Sequence, residues 1–122
     1  MSKIITIIGQ KGVGKTAFFR QIIKRYSIDN SKNISPIINY AEEKISIANK
    51  IYQLVDTPAF ILSPKTEIEK GIRNQTEELL KKSDLILWVV DEIDEKTLLL
   101  NRYLKKVETP QILLFNKTNL EN

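Results

Sequence analysis

Gly9-Gln10-Lys11-Gly12-Val13-Gly14-Lys15-Thr16 reads G-x-x-x-x-G-K-T, and its flanks decide the fold. Before it runs Lys3-Ile4-Ile5-Thr6-Ile7-Ile8, a short β-branched stretch expected to be a buried strand. After it, Thr16 to Tyr26 predicts a helix with Phe18, Phe19, Ile22, Ile23 and Tyr26 near one face. Strand, glycine loop and helix in that order are what a phosphate cradle requires. Gly9, Gly12 and Gly14 are expected to take positive φ and turn their N–H groups inward. The helix N-terminus, opening through Thr16 and Ala17, adds partial positive charge at the same place. Lys15 supplies a mobile ammonium for the β- and γ-phosphates and is the expected catalytic group; Thr16 supplies a hydroxyl ligand for Mg²⁺. Gln10, Lys11 and Val13 complete the expected loop. Lys11 is expected either at the phosphate edge or on an acidic partner, against the plainer alternative of a solvated lysine.

Outward from this loop the chain alternates. Residues 27–43 are rich in Asn, Ser and Asp without a clear period and are expected to form a long loop. Lys44–Ala48 and Ile51–Val55 predict two strands joined by a tight turn at Asn49-Lys50. Thr66-x-x-Glu69 is a capping box opening a helix to about Lys82, with Ile68, Ile72, Leu79 and Leu80 inward. Asp84 to Asp91 predicts a buried strand. Asp94 to Val107 predicts a helix with Leu98, Tyr103, Leu104 and Val107 toward the core. Gln111 to Phe115 predicts a last buried strand. The class is α/β with a largely parallel sheet. One domain over residues 1–122 is expected, with neither repeats nor low-complexity tracts.

Composition narrows the chemistry. The 122 residues contain neither Cys nor His, which excludes thiol, imidazole and most zinc chemistry. Hydrophobic residues are 42%, ordinary for a globular chain. Lys and Arg number 19 against 15 Asp and Glu, a net charge of +4 with the basic residues scattered. That balance suits anionic ligands and gives little support to a nucleic-acid surface. With no signal peptide and no apolar run long enough to span a bilayer, a cytoplasmic protein is expected.

Ligands of parallel α/β sheets sit at the carboxyl ends of the strands. Three such ends carry polar sequence: Gly9–Thr16, Asp56-Thr57-Pro58-Ala59, and Asn116-Lys117-Thr118-Asn119. They are expected to converge. Asp56 follows a buried strand, where a carboxylate can hold Mg²⁺ opposite the Thr16 hydroxyl. Asp91 is a weaker candidate for that role and is read as a cap.

The ordered set Gly9–Thr16, Asp56-Thr57-Pro58 and Asn116-Lys117 resembles the Ras-like P-loop GTPase superfamily. Asp-Thr-Pro, the helix after it and the Asp84–Asp91 strand resemble the bacterial TrmE–Era–EngA (Der) group. The resemblance covers essentially the whole chain. It implies a small G-domain-like three-layer sandwich binding GTP or GDP with Mg²⁺. It further implies weak or partner-dependent hydrolysis of the GTP β–γ phosphoanhydride. Residues 27–43 and 56–65 would be its switch segments. Candidate partners are guanine nucleotide, a protein or RNA-associated factor, and a second copy of the chain.

The resemblance also exposes departures. Ala59 stands where the family has a glycine whose N–H meets the γ-phosphate. Phe60 stands where Ras proteins carry a water-orienting Gln. Ser35 is the nearest hydroxyl to the switch threonine and the remaining candidate Mg²⁺ ligand, with Ser31 behind it. Gly12 replaces the Asn of potassium-activated members. Asn119 replaces the carboxylate of N-K-x-D; its amide offers one acceptor and two donors, which suits xanthine better than guanine. A mismatched bond at a buried base costs about 1–3 kcal/mol. Relative to a full G domain, the pattern lacks a last strand and helix, so Gln111–Phe115 is expected at a sheet edge with one apolar face uncovered. Two other readings stay open: a degenerate or truncated G domain acting as a non-catalytic nucleotide-binding or protein-interaction module, and a P-loop ATPase of the deviant Walker-A kind.

Overall fold

A computed structural model describes residues 3–10, 12–28, 33–34 and 41–116. The elements are β1 (Lys3–Gly9), α1 (Lys15–Tyr26), β2 (Asn33–Ile34), β3 (Ala41–Ile47), β4 (Lys50–Asp56), α2 (Glu67–Lys82), β5 (Leu85–Val90), α3 (Glu95–Leu104) and β6 (Gln111–Phe115). They form a six-stranded sheet in the order β2-β3-β4-β1-β5-β6. Strands β4, β1, β5 and β6 run parallel, while β3 is antiparallel to both of its neighbours. The α/β class and the mostly parallel sheet are as the alternation of patterns predicts.

The central strand β1 has both faces covered, which is why its sequence is nearly all apolar rather than alternating. Ile5 and Ile7 join Val13, Phe19, Ile45, Leu54 and Val89 under α1. Ile8 joins Phe60, Leu80, Ile86, Trp88, Leu100 and Leu104 under α2 and α3. This gives the three layers. The polar residue of β1, Thr6, is fully buried and shares a hydrogen bond with Ser83 just past α2. Asp84 fixes the start of β5 against β1, accepting from the Ile4 N–H and donating its own N–H to the Ile4 carbonyl.

The helices begin where the caps say. Thr66 accepts from the Glu69 N–H at 3.1 Å, and the Glu69 carboxylate accepts from the Thr66 N–H, so the capping box is formed. Asp94 caps α3 by accepting from the Thr97 N–H at 2.8 Å. Two inward assignments differ from expectation. Ile68 is 77% exposed, because the 72–76–80 stripe of α2 runs past the core in its first turn. Leu98 is 57% exposed; within the run Leu98-Leu99-Leu100, the spacing to Leu104 selects Leu100 as the core residue. Helix α3 ends at Leu104, although Val107 still packs against the core.

The segment expected to be one long loop contains β2 and the first three residues of β3. There Ala41, Glu42 and Glu43 pair with Asp56, Val55 and Leu54. Two glutamates and an alanine are poor strand formers, and the hairpin register overrides them. The turn falls one residue earlier than expected: Ile47 pairs with Lys50, leaving Ala48 (φ 53°) and Asn49 (φ 66°) as the two central residues. Positive φ at both positions is the primed turn that matches strand twist. Among the described residues β6 is an edge strand, with Ile112, Leu113 and Phe115 each more than 40% exposed. The edge position is as expected, but the exposed side chains fall on both faces rather than one, since Ile112 and Leu113 alternate, and only Leu114 packs inward as a buried strand would.

Candidate functional site

The carboxyl ends of β1, β4, β5 and β6 lie side by side, and the glycine loop rises from the first of them. Gly14 sits at φ 90° and Gly12 at φ 84°, both in the region that excludes most side chains. Gly9 differs from expectation: it belongs to β1 and has no positive φ. Its lack of a side chain has another reason. A Cβ there would lie 2.9 Å from both the Val89 carbonyl oxygen and Val13 Cγ2. Gly14 opens α1 without a side-chain cap, and the first turn holds no acidic residue. The free first-turn amides and their dipole are therefore left facing the cavity, an anion-binding arrangement.

That cavity has a volume of about 450 Å³ and is lined by the loop on one side and by Asp56, Thr57, Pro58 and Ala59 on the other. Lys15 and Asp56 face each other within it. Lys15 Nζ donates to Asp56 Oδ1 at 2.7 Å and also to the Thr57 carbonyl, and both charged side chains are about 90% buried. Thr16 Oγ1 donates to Asp56 Oδ2 at 3.3 Å. One carboxylate thus gathers the ammonium and the hydroxyl. Thr57 is tied down in turn, donating its N–H and its hydroxyl to the Ile7 carbonyl. Gln10 lines the same cavity, and its Nε2 is buried with no partner among the described residues.

Asn116 joins the fourth strand end to the loop. Its Nδ2 donates to the Val13 carbonyl at 2.9 Å, and its N–H donates to the Val90 carbonyl at 2.7 Å. A Cβ on Gly14 would come within 2.2 Å of Nδ2, so the glycine and the asparagine fit each other. Beside them lies a second cavity of about 370 Å³, more apolar, lined by Gly14, Ala17, Phe18, Gln21, Phe115 and Asn116 among others. Gly14 and Ala17 line both cavities, so a polar end and an apolar end are adjacent.

Gly9–Thr16, Asp56–Ala59 and Asn116 therefore converge as the strand-end argument expects, with Gly9, Gln10, Gly12, Val13, Gly14, Lys15, Thr16, Ala17, Asp56, Ala59 and Asn116 all at this corner. Lys11, Ser31, Ser35, Lys117 and Asn119 lie outside the described residues. Asp91 lines a different cavity, on the β5–α3 side of the loop. Two residues at the site were not anticipated. Ala41 lines the phosphate-side cavity because β3 begins earlier than its sequence suggests. Gln21 stands one helical turn beyond Ala17, a spacing that could have placed it. Outside the cavity, Arg73 of α2 also carried no signal in the sequence; it donates to the Ile61 and Leu62 carbonyls just beyond the wall.

Residues 4–117 match the sequence pattern of the family described as 50S ribosome-binding GTPase. The chain belongs to that family. It is similar to GTPase Der of Flavobacterium psychrophilum, at 29% identity over 98% of this chain and 28% of that protein. It is also similar to GTPase Der of Aquifex aeolicus, at 34% identity over 75% of this chain and 21% of that protein. The chain thus matches between about a fifth and little more than a quarter of the length of these relatives. Among solved structures, the G domain of the T. maritima FeoB iron transporter superposes with a TM-score of 0.74, at 21% identity, over 98% of this chain and 75% of that one. Aquifex aeolicus Era bound to GDP and AlF4⁻ gives 0.72 at 20% identity, over 98% and 42%. At these identities the likeness concerns the fold alone. Membership agrees with the resemblance read from the three motifs, and the fold with that of P-loop G domains.

Proposed function

We propose that this G-domain-like unit binds GTP and GDP, with the phosphates in the polar cavity and the base in the apolar one. The observation that carries the reading is the convergence of Lys15, Asp56 and Asn116 on one glycine loop. The residues also fit Mg²⁺. Asp56 and Thr16 offer two hard oxygen ligands 3.3 Å apart, and no cluster of three acidic or His/Cys residues exists among the described residues to form an all-protein cage. Mg²⁺ bound by few protein oxygens plus phosphates is the usual case. When bound, the ion neutralises charge developing on the phosphate oxygens.

The chain's own residues do the rest. The first-turn amides of α1 hold phosphate oxygens, and Lys15 supplies the mobile positive charge. To reach the phosphates its ammonium must leave the Thr57 carbonyl and share Asp56. Asn116 holds the loop by its Val13 bond at the mouth of the apolar cavity, and in this reading it contacts the base, a role that Lys117 and Asn119 are proposed to share. Asn119 keeps xanthine as the competing base. Hydrolysis of the β–γ bond is the proposed reaction, slow in isolation: Phe60 has no group to orient water, and its ring is buried. Acceleration by a protein or RNA-associated partner, or by a second copy, belongs to the same proposal. No described helix is long and apolar enough to cross a membrane; action in the cytoplasm is part of the same proposal.

Titration with GTP, XTP and ATP in Mg²⁺, with phosphate release followed in the same samples, tests the reading. GTP or XTP should bind at least about tenfold tighter than ATP, the equivalent of one lost base contact. Equal affinity for all three would overturn it.

A further inference from the structure

The wall of the phosphate-side cavity opposite the glycine loop is residues 57–59, and the chain that continues from it is held in an unusual way. The Phe60 N–H donates to the Gly9 carbonyl at 3.0 Å, which ties residue 60 to the end of β1. Over the next two residues the guanidinium of Arg73 in α2 takes over. It donates to the Ile61 carbonyl at 2.6 Å and to the Leu62 carbonyl at 3.1 Å. Its remaining edge pairs with Glu77 at 3.0 Å. Its face lies 4.6 Å from the Phe60 ring centroid and 5.0 Å from that of Tyr103, and the two rings are themselves 5.1 Å apart. One planar cation thus stacks on two rings while its Nη1 donates to two consecutive backbone carbonyls and its Nε to Glu77. A guanidinium can do this and an ammonium cannot. Burial pushes the Tyr103 phenol above its ordinary value of 10, Glu77 adding to the shift and Arg73 opposing it, so the ring stays neutral beside the cation.

We propose that Arg73 is a positioning residue for the third phosphate of the nucleotide. It acts by fixing residues 60–62 so that Ala59 stays at the cavity wall. This rests on the nucleotide-binding reading above. The α1 amides meet the first two phosphates whether or not the opposite wall is in place, and Lys15 reaches the second and third. In the nucleotide-binding reading it is the third phosphate that extends toward Thr57–Ala59, which line the cavity opposite the loop. Residues 57–62 are pinned at Ile7, at Gly9 and at Arg73, so this wall is set before nucleotide arrives. Binding a triphosphate then needs little ordering of that segment. Arg73 touches no cavity residue, and its effect passes entirely through the Phe60–Leu62 backbone.

The test is calorimetric titration of the whole chain with GDP and with a non-hydrolysable GTP analogue, in wild type, Arg73→Ala, Arg73→Lys and Tyr103→Leu. Arg73→Ala should weaken the triphosphate analogue by about tenfold and GDP by less than about twofold, the scale of one lost charge-assisted contact. Arg73→Lys should recover only part of that preference. Tyr103→Leu, which keeps the carbonyl bonds and removes one ring, should shift it in the same sense by less. Should Arg73→Ala not fold, the other two carry the comparison. Equal weakening of both nucleotides, or an unchanged ratio, in wild-type-like folded variants would overturn the proposal and leave nucleotide binding standing. A wild-type chain that binds neither nucleotide would instead overturn the nucleotide-binding reading itself, and this inference with it.

Discussion

Replacing Lys15 with Met should destabilise the nucleotide-free protein, although the same lysine is assigned to ligand binding. The reason is the pair it forms. Lys15 Nζ sits 2.7 Å from Asp56 Oδ1, and the two side chains are 9% and 10% exposed. Removing one partner of such a pair leaves an uncompensated buried charge, at a cost of about 3–5 kcal/mol in fully buried cases. Here the Thr16 hydroxyl still donates to Asp56, while the Thr57 carbonyl loses its donor. The cost is therefore placed at about 2–4 kcal/mol, below the full figure. For a chain of this size each kcal/mol corresponds to about 3–6 °C, so Tm should fall by roughly 10 °C. Asp56→Ala should cost a similar amount. The double variant should lose less than the sum of the singles by about 2 kcal/mol, because neither charge is then stranded. Urea unfolding of the four proteins without nucleotide measures the cycle. Single-variant costs under about 0.5 kcal/mol, or additivity, would show that the pair does not hold the empty site together.

Three further outcomes follow from the local geometry. Gly14→Ala should destabilise by about 2–3 kcal/mol, combining a left-handed residue with loss of the Asn116–Val13 bond, whereas Gly12→Ala, with open space around its Cβ position, should cost about 1–2 kcal/mol; denaturant midpoints compare them. Ala48→Gly should stabilise by up to about 1 kcal/mol, since it relieves the positive φ at a smaller entropic cost, and a Tm higher by a few degrees would show it. The Asp94 carboxyl is held below its ordinary value of 3.8 chiefly by the Thr97 N–H and then by the Thr97 hydroxyl. A depressed carboxyl contributes stability above its unfolded value and loses it as pH falls through the folded one. Asp94→Ala should therefore flatten the acid limb of the stability profile below pH 3.8, read by urea titration across that range.

The parts of the fold that one residue type controls were legible in the sequence. The glycine loop between strand and helix, the Thr66–Glu69 box and the polar strand ends all depend on local chemistry, and each stands where the pattern put it. What escaped depends on tertiary partners. Ala41–Glu43 become strand only because Leu54–Asp56 lie opposite them. Leu98, Leu99 and Leu100 are chemically alike, and only the position of the sheet decides which is buried. Gly9 looked like a third positive-φ glycine, but its constraint is the approach of the Val89 carbonyl from the neighbouring strand. Arg73 was read only as part of a helix. Its role is set by two rings and two carbonyls that the fold brings to it. Within the site, the half formed by Lys15, Thr16, Asp56 and Asn116 followed from motif spacing, because each sits at a strand end or in the first turn after one.

The most direct test of the account is a crystal structure of the chain with Mg²⁺ and GDP. It should show the diphosphate against the amides at residues 12–16, with Lys15 Nζ moved from the Thr57 carbonyl to a phosphate oxygen and the base beside Asn116 and Phe18. A diphosphate bound elsewhere, or bound with the Lys15–Thr57 contact intact, would contradict it.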